Sequence, residues 1–343
     1  MLTSRASTIL NLLVDEYVQT ATPVASDGIA RSPALRVSPA TVRNAMSQLT
    51  EEGYISRPHV SAGGVPSDLG YRHYVESLDK WPELSVRLRR RVDRWLDDAE
   101  PDAAVWARRC AAALSQMTAN LAIVTEPRST SPRLKRLQLV FLQESIALLV
   151  IVLGETRLLK RLLPLDDSVS QQQLDVVAEH LNSSLAGLNH RQIKSLQLCL
   201  SNLEQRVLND SLEMMQESEQ ADLPEHHVEG LSRLLNQPEF AAGERARLLV
   251  QMMERRVMVE RIVATERESG PRVTIGAENR DESLRPFGVI VCHYGRPGGV
   301  GGAICVVGPT RMSYQTAIAG TLHLAAFMDR MVQSLGAGEA VRT

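Results

Sequence analysis

Near the N-terminus, five polar side chains of the types that read nucleobase edges fall on one side of a helical segment. In SPATVRNAMSQLTEEG, residues 38–53, Ser38 stands before Pro39, a capping hydroxyl ahead of a proline at the first helical position, and Gly53 supplies the stop. The spacing predicts a helix over about 39–52. Val42, Met46 and Leu49 lie at i, i+4 and i+7, a stripe that packs inward. Thr41, Arg43, Asn44, Ser47 and Gln48 are left facing outward. An Arg fork matches two guanine acceptors, and Asn or Gln matches the donor and acceptor of adenine. A solvated helix face carries the same residue types, so the flanking elements decide the meaning.

Those elements follow a recognisable order. A first helix begins after Thr3 and runs to about Gln19, with Ile9, Leu12, Leu13, Val14 and Tyr17 near helical spacing. A short second one after Pro23 carries Val24, Ile29 and Ala30 and closes at Ser32-Pro33. After the 39–52 helix, Tyr54–Arg57 reads as a short strand and PHVSAGGVP as a turn-rich segment. Ser67 then caps a helix bearing Leu69, Tyr71, Tyr74, Val75 and Leu78, with the two tyrosines read as core. Helix, helix, helix, hairpin, helix over residues 1–80 is the order of a winged helix-turn-helix. In its wing, small residues let backbone N–H groups approach phosphate, and Arg57, His59 and Ser61 join Ser38 and the five outward residues as candidate DNA contacts. A plain hairpin with a solvated histidine is the competing reading.

A chain of 343 residues, 44% hydrophobic and 23% charged, suggests two or three folded units. No run approaches the roughly 18 apolar residues of a membrane span, and MLTSRASTIL lacks the apolar centre of a signal peptide, so a cytoplasmic protein is expected. Cys110, Cys199, Cys292 and Cys305 are widely spaced and form no CxxC pair, which predicts ordinary buried thiols and neither a metal site nor a cofactor. The net charge is −2, and residues 1–80 hold seven Lys and Arg against eight Asp and Glu. A DNA-facing positive surface must therefore arise from local arrangement. Arg87, Arg89, Arg90, Arg91 and Arg94 extend such a surface or, more economically, form a solvated helix face.

Beyond residue 80, a connecting helix over 84–98 places Leu84, Leu88, Val92, Trp95 and Leu96 on one side. A second helix over 102–121 has Trp106, Cys110, Leu114, Met117 and Leu121 as its core face, and EPRSTSPR marks a boundary at 126–133. LQLVFLQ, IALLVIVLG and RLLKRLL read as a three-stranded antiparallel sheet, followed by helices over 171–188 and 191–215, a compact α+β unit. The last third returns to helices carrying Val228, Leu231 and Leu235, then Leu248, Leu249, Met252, Met253 and Ile262. Strands VTIG, GVIVCHY and AICVVG and a final helix from Ser313 to Leu335 follow, a mixed sheet whose missing helical layer residues 84–128 supply if the middle unit is an insertion. The glycine-rich stretch 295–302 lacks GxxxxGK[ST] and a strand-loop-helix setting, so it reads as a hairpin. Cys292 and His293, adjacent on a strand, point to opposite faces and make no nucleophile and base pair. No enzyme is expected.

PHVSAGGVPSDLGYRHYVESL, SPATVRNAMSQL, GLSRLLNQPEF and VGPTRMSY together resemble the heat-inducible transcription repressor family HrcA, in its order and spacing and over nearly the whole chain. The resemblance implies an α+β multidomain protein: an N-terminal winged helix-turn-helix (1–80), a GAF-like domain (81–129 and 213–343) and an inserted three-stranded dimerising domain (130–212). It implies a homodimer on double-stranded DNA, binding the inverted-repeat operator CIRCE ahead of chaperone genes, released on heat stress and kept active by the GroE chaperonin. A dimer is expected as well because two half-sites are read by two helices related by a two-fold axis. The rival is a small-molecule-responsive regulator using the GAF-like domain as ligand sensor. Gly64 stands where the family has arginine, Ala45 where it has an acidic residue, Asp27 where it has a basic one and Leu69 where it has lysine. These departures predict fewer phosphate contacts and weaker binding.

Overall fold

In the computed structural model, the Thr3 hydroxyl accepts from Ala6 N–H and opens helix α1 (Ser4–Thr20), which buries Ile9, Leu10, Leu13 and Val14. The structure describes residues 2–339 apart from 34, 36, 60–61, 79–81, 98–101, 130–131, 144, 155–156, 166–168, 222–224, 242, 255–258, 260–269 and 297–298. Ile262, expected on a helical stripe, lies outside the described residues. The architecture is mixed α and β, divided into two compact units: 1–127 with 225–295 and 302–343, and 128–224 with 296–301.

In the first unit α1 is followed by α2 (Ser26–Ala30) and α3 (Pro39–Glu51), then by strands β1 (Ile55–Ser56) and β2 (Val65–Pro66) and helix α4 (Asp68–Ser77). Val42, Met46 and Leu49 of α3 enter one core with α1 and Ile55, as their spacing predicts. The β1–β2 pairing is antiparallel, and Val24 and Gly64 exchange backbone hydrogen bonds of 2.9 and 2.8 Å, which pins the far end of the hairpin. Tyr71 and Tyr74 are buried as expected, whereas Leu69 is exposed on the first turn of α4.

Helices α5 (Val86–Asp97) and α6 (Ala103–Thr118) come next. Leu84, Val92 and Leu96 are buried, but Trp95 is 41% exposed and is not part of the inward side assigned to it. The 102–121 helix ends early: Ala119 adopts the left-handed conformation, φ 57°, and its N–H closes on Ser115. Leu121 therefore starts a strand, β3 (Leu121–Thr125), all of it buried. A second strand outside the predicted set, β8 (His226–Glu229), pairs antiparallel with it, Ala122 opposite Glu229 and Thr125 opposite His226. Val228 thus sits on a strand, and the helix it was assigned to is α10 (Leu231–Leu235). With β9 (Arg272–Ile275), β10 (Phe287–Gly295) and β11 (Val300–Pro309), numbered along the chain, the sheet order is β8-β3-β11-β10-β9. The glycine-rich stretch runs from the end of β10 into β11, its neighbour in the sheet, with residues 297–298 outside the described residues. Helix α6 packs on β3 and β8, and the last helix, α12 (Tyr314–Glu339), packs on β10 and α6. A single-turn 3-10 helix (Pro238–Phe240) precedes α11 (Glu244–Glu254).

In the second unit, β4 (Arg128–Ser129) pairs with Val300 and Gly301. Strands β5 (Leu134–Gln143), β6 (Ile146–Leu153) and β7 (Arg157–Pro164) form the expected antiparallel sheet in that order. Strand β6 alternates strictly and buries Ala147, Leu149, Ile151 and Leu153. Helix α7 (Gln171–Leu185) covers that face, and Asn182 locks it to the sheet by accepting from Leu137 N–H and donating to Leu137 O, both 2.7 Å. The helix expected over 191–215 is two, α8 (His190–Lys194) and α9 (Asn202–Ala221). Between them lies Cys199, which is exposed; the other three cysteines are buried as expected. Among the described residues no helix is long and apolar enough to cross a membrane, and no group of three or more His, Cys, Asp or Glu is placed to hold a metal ion.

Candidate nucleic-acid interface

Helix α3 starts where its cap dictates. Ser38 Oγ accepts from Thr41 N–H at 3.2 Å and lies 2.9 Å from Thr41 Oγ1, so both hydroxyls serve the first turn. Ser47 Oγ donates to Arg43 O at 3.1 Å, and Gln48 Nε2 donates to Glu52 Oε1 at 2.7 Å. Arg43 and Asn44 are exposed and have no side-chain partner among the described residues, so their full hydrogen-bonding capacity points to solvent. Charge along the helix is polarised: its N-terminal half carries the positive end of the helix dipole and Arg43, and its C-terminal end carries Glu51 and Glu52. A polyanion is therefore favoured at the Ser38 end.

Of the hairpin residues, Arg57 reaches α3, its Nη2 lying 3.5 Å from Ser47 Oγ, while its Nε is buried without a partner. Arg57 thus meets α3 at Ser47. His59 is exposed in the turn, where its carbonyl accepts from Ala62 N–H at 2.9 Å. Ser61 lies outside the described residues. Gly64 alters one expectation. It is buried, and a Cβ there would come within 2.9 Å of Leu13 Cδ1 and 3.0 Å of Met46 Cε, so position 64 faces the core and not a phosphate. Its neighbour Gly63 has backbone 2.3 Å from where a Cβ would stand, which excludes any side chain without a backbone shift. Asp27 and Leu69 are exposed, and Ala45 is half-buried.

A further set of residues, not anticipated from the sequence, fixes these helices to the β8-to-β9 sheet region within the same unit. Arg72 Nε donates to Glu278 Oε1 at 2.7 Å and its Nη2 donates to Glu278 Oε2 and to Val273 O. Burial pushes the Glu278 carboxyl up, but the Arg72 fork and the Ile275 N–H outweigh it and hold the group below the usual carboxylate range. Asp68 Oδ2 accepts from Ala277 N–H at 2.9 Å. Arg311 forks onto Glu239 and its Nη1 donates to Val18 O, in the last turn of α1, at 3.0 Å. Tyr71 and Tyr314 pack with ring centroids 5.9 Å apart. The available signal was charge set within turn and cap strings: Asp68 and Arg72 in SDLGYR, Glu239 in NQPEF and Arg311 in GPTRMSY. Elsewhere, burial pushes the thiols of Cys110 and Cys305 up, which makes them poor nucleophiles.

Comparison with known proteins bears on the whole chain. Residues 105–318 match the family model described as the HrcA protein C terminal domain. A heat-inducible transcription repressor HrcA of Dehalococcoides mccartyi (strain CBDB1) is 36% identical over 336 residues, covering 98% of this chain and 97% of that protein. Proteins of the same description from Herpetosiphon aurantiacus and Carboxydothermus hydrogenoformans are each 34% identical, covering 97% of this chain and 96% and 98% of theirs. A crystal structure of a hypothetical protein shares the fold, with a TM-score of 0.58 at 19% identity over 97% of this chain and 99% of that one. The chain belongs to the HrcA family, the family of these heat-inducible transcription repressors.

Proposed function

We propose that this chain is a dimeric, DNA-binding transcription repressor of chaperone genes that acts in the cytoplasm. Residues 1–80 are its winged helix-turn-helix, with α3 entering the major groove by its N-terminal half and the 57–64 hairpin lying along the backbone. The observation that carries this reading is the pair Arg43 and Asn44, exposed and without a partner among the described residues, on a helix whose Thr41, Ser47, Gln48 and Thr50 side chains are engaged at home. Thr41, Ser47 and Gln48 then act at the edges of the contact, with Ser38, Arg57, His59 and Ser61 on phosphates. Residues 81–129 and 213–343 form the GAF-like domain and 130–212 the dimerising insertion. The sheet supports the second assignment: its face away from α7 presents Leu148, Val150 and Val152 of β6, flanked by Leu158 and Leu162, which are 52% and 60% exposed. Two such faces bury each other in a homodimer, and a two-fold dimer fits an inverted-repeat operator of the CIRCE type. Release on heat stress and support by the GroE chaperonin belong to the same proposed reading. A chain of marginal stability whose folded fraction depends on a chaperonin provides the physical route.

The test is gel retardation of operator DNA by purified protein. Loss of one bidentate base contact costs about 1–3 kcal/mol, so Arg43→Ala is expected to weaken operator binding by about 5- to 150-fold with an unchanged far-UV spectrum. Unchanged affinity removes α3 from the reading role.

A further inference from the structure

Helix α5 carries five arginines, and the fold sorts them unequally. At about 100° per residue, Arg87, Arg90, Arg91 and Arg94 fall within one arc of roughly 100°, at i, i+3, i+4 and i+7. Arg89 falls on another side, where it pairs with Asp93 at 3.8 Å, and Asp93 in turn binds His323 at 2.6 Å. The four stripe arginines are all exposed, and none has a carboxylate partner among the described residues; Arg94 Nε donates only to Arg90 O. Exposed Trp95 stands beside them. The helix is held from below by Val92 and Leu96 and at its end by Arg109, which donates to Trp95 O at 2.7 Å.

Like charges at i, i+3 and i, i+4 destabilise a helix, and solvated faces usually interleave signs. A one-sign stripe on a well-anchored helix therefore points to a polyanion. We propose that Arg87, Arg90, Arg91 and Arg94 of α5 form a second DNA-backbone contact, outside the α3 and hairpin footprint. This rests on the DNA-binding reading above. Duplex DNA is favoured over an acidic protein because α5 follows the four-helix region directly and that region, residues 1–80, lacks net positive charge. The stripe rises roughly 10 Å, a length over which a duplex carries about six phosphate charges.

The experiment compares the salt dependence of binding to operator and to an unrelated duplex of equal length. Variants are the full chain with all four arginines changed to Gln, the same four changed to Lys, and Arg43→Ala. Each lost phosphate contact lowers the slope of log K against log salt by about 0.9. The Gln variant is expected to lose about 1.8 or more on both duplexes while keeping the operator-to-unrelated affinity ratio, and the Lys variant to keep the slope. An unchanged slope in the Gln variant overturns the proposal, even if binding weakens. Arg43→Ala with an unchanged operator-to-unrelated ratio instead overturns the reading role of α3 and leaves the stripe standing. Wild-type protein that retains neither duplex overturns both.

Discussion

Arg311→Ala should release the N-terminal helices from the rest of their unit before anything else unfolds. Arg311 and Glu239 keep only 15% and 17% of their side-chain surface, and the same guanidinium caps Val18 O, one of the last four carbonyls of α1 that have no partner within the helix. Truncation removes a charged hydrogen bond and strands a nearly enclosed carboxylate. A fully buried pair broken on one side costs about 3–5 kcal/mol and an exposed one about 0–1. This pair lies between, at about 2–3 kcal/mol, or roughly 30- to 150-fold in a local opening equilibrium. Native-state hydrogen exchange reads that equilibrium directly. Protection at Leu10, Leu13 and Val14 of α1 is expected to fall by this factor, while Leu149 and Ile151 of β6, in the other unit, stay unchanged. Arg311→Ala with Glu239→Gln removes the stranded charge and should recover part of the loss. If α1 protection is unchanged, or if β6 loses as much, Arg311 does not hold α1 in place.

Leu158→Asp with Leu162→Asp should convert the proposed dimer into a monomer in sedimentation, because both side chains are more than half exposed on an apolar sheet face; a persisting dimer moves the interface elsewhere. Gly64→Arg, the residue that the resemblance implies at this place, should lower the melting temperature, since overpacking against Leu13, Met46 and Ile55 costs about 1–3 kcal/mol; an equal or higher melting point with tighter DNA binding returns position 64 to the phosphate surface. The Glu278 carboxyl is held below its usual range, so its tie to Arg72 contributes above the ordinary glutamate value, near 4.3, and is lost as pH falls through the depressed one. Exchange protection in α4 should be steady above about pH 5 and fall below it in the wild type, and this acid loss should be absent in Arg72→Met.

The legible parts of the fold were those with a local physical signature. Helix α3 announced itself through Ser38-Pro39 and its stripe, and β5 to β7 through three short apolar runs separated by few residues. Strand β3 did not, because it is buried along its whole length and lacks alternation, and Leu121 continues the helical line of Leu114 and Met117. The helix before it stops at an alanine in a left-handed conformation, where a glycine would have marked the end. Strand β8 reads HHVE, half-buried and polar, so hydropathy has nothing to report. The break between α8 and α9 did leave a trace. Ser201-Asn-Leu-Glu204 is a serine followed three residues on by glutamate, the capping signature, and Glu204 Oε2 accepts from Ser201 N–H at 2.7 Å. That carboxyl, bound also by His180, is held down at about 2.

The same contrast separates the two kinds of residue at the candidate interface. The exposure of Arg43 and Asn44 is legible because a local cap and stripe already define which side of α3 faces outward. Arg72, Glu278, Glu239 and Arg311 were not, since each gains its role from a partner 72 to more than 200 residues away in sequence. Arg72, Glu239 and Arg311 nevertheless lie inside strings that carry the resemblance to the family. NQPEF and GPTRMSY are turn and cap sequences whose one charged member cannot be exchanged without exposing a carbonyl of α1 or stranding a carboxylate. Residue 64 makes the converse case. Read along the sequence it is a lost arginine on a wing, but the reciprocal backbone bonds to Val24 turn it inward, and a glycine is what the space between Leu13, Met46 and Ile55 accepts. In the proposed DNA complex, the positive charge that position 64 does not supply comes from Arg57 and from the four arginines that share one side of α5.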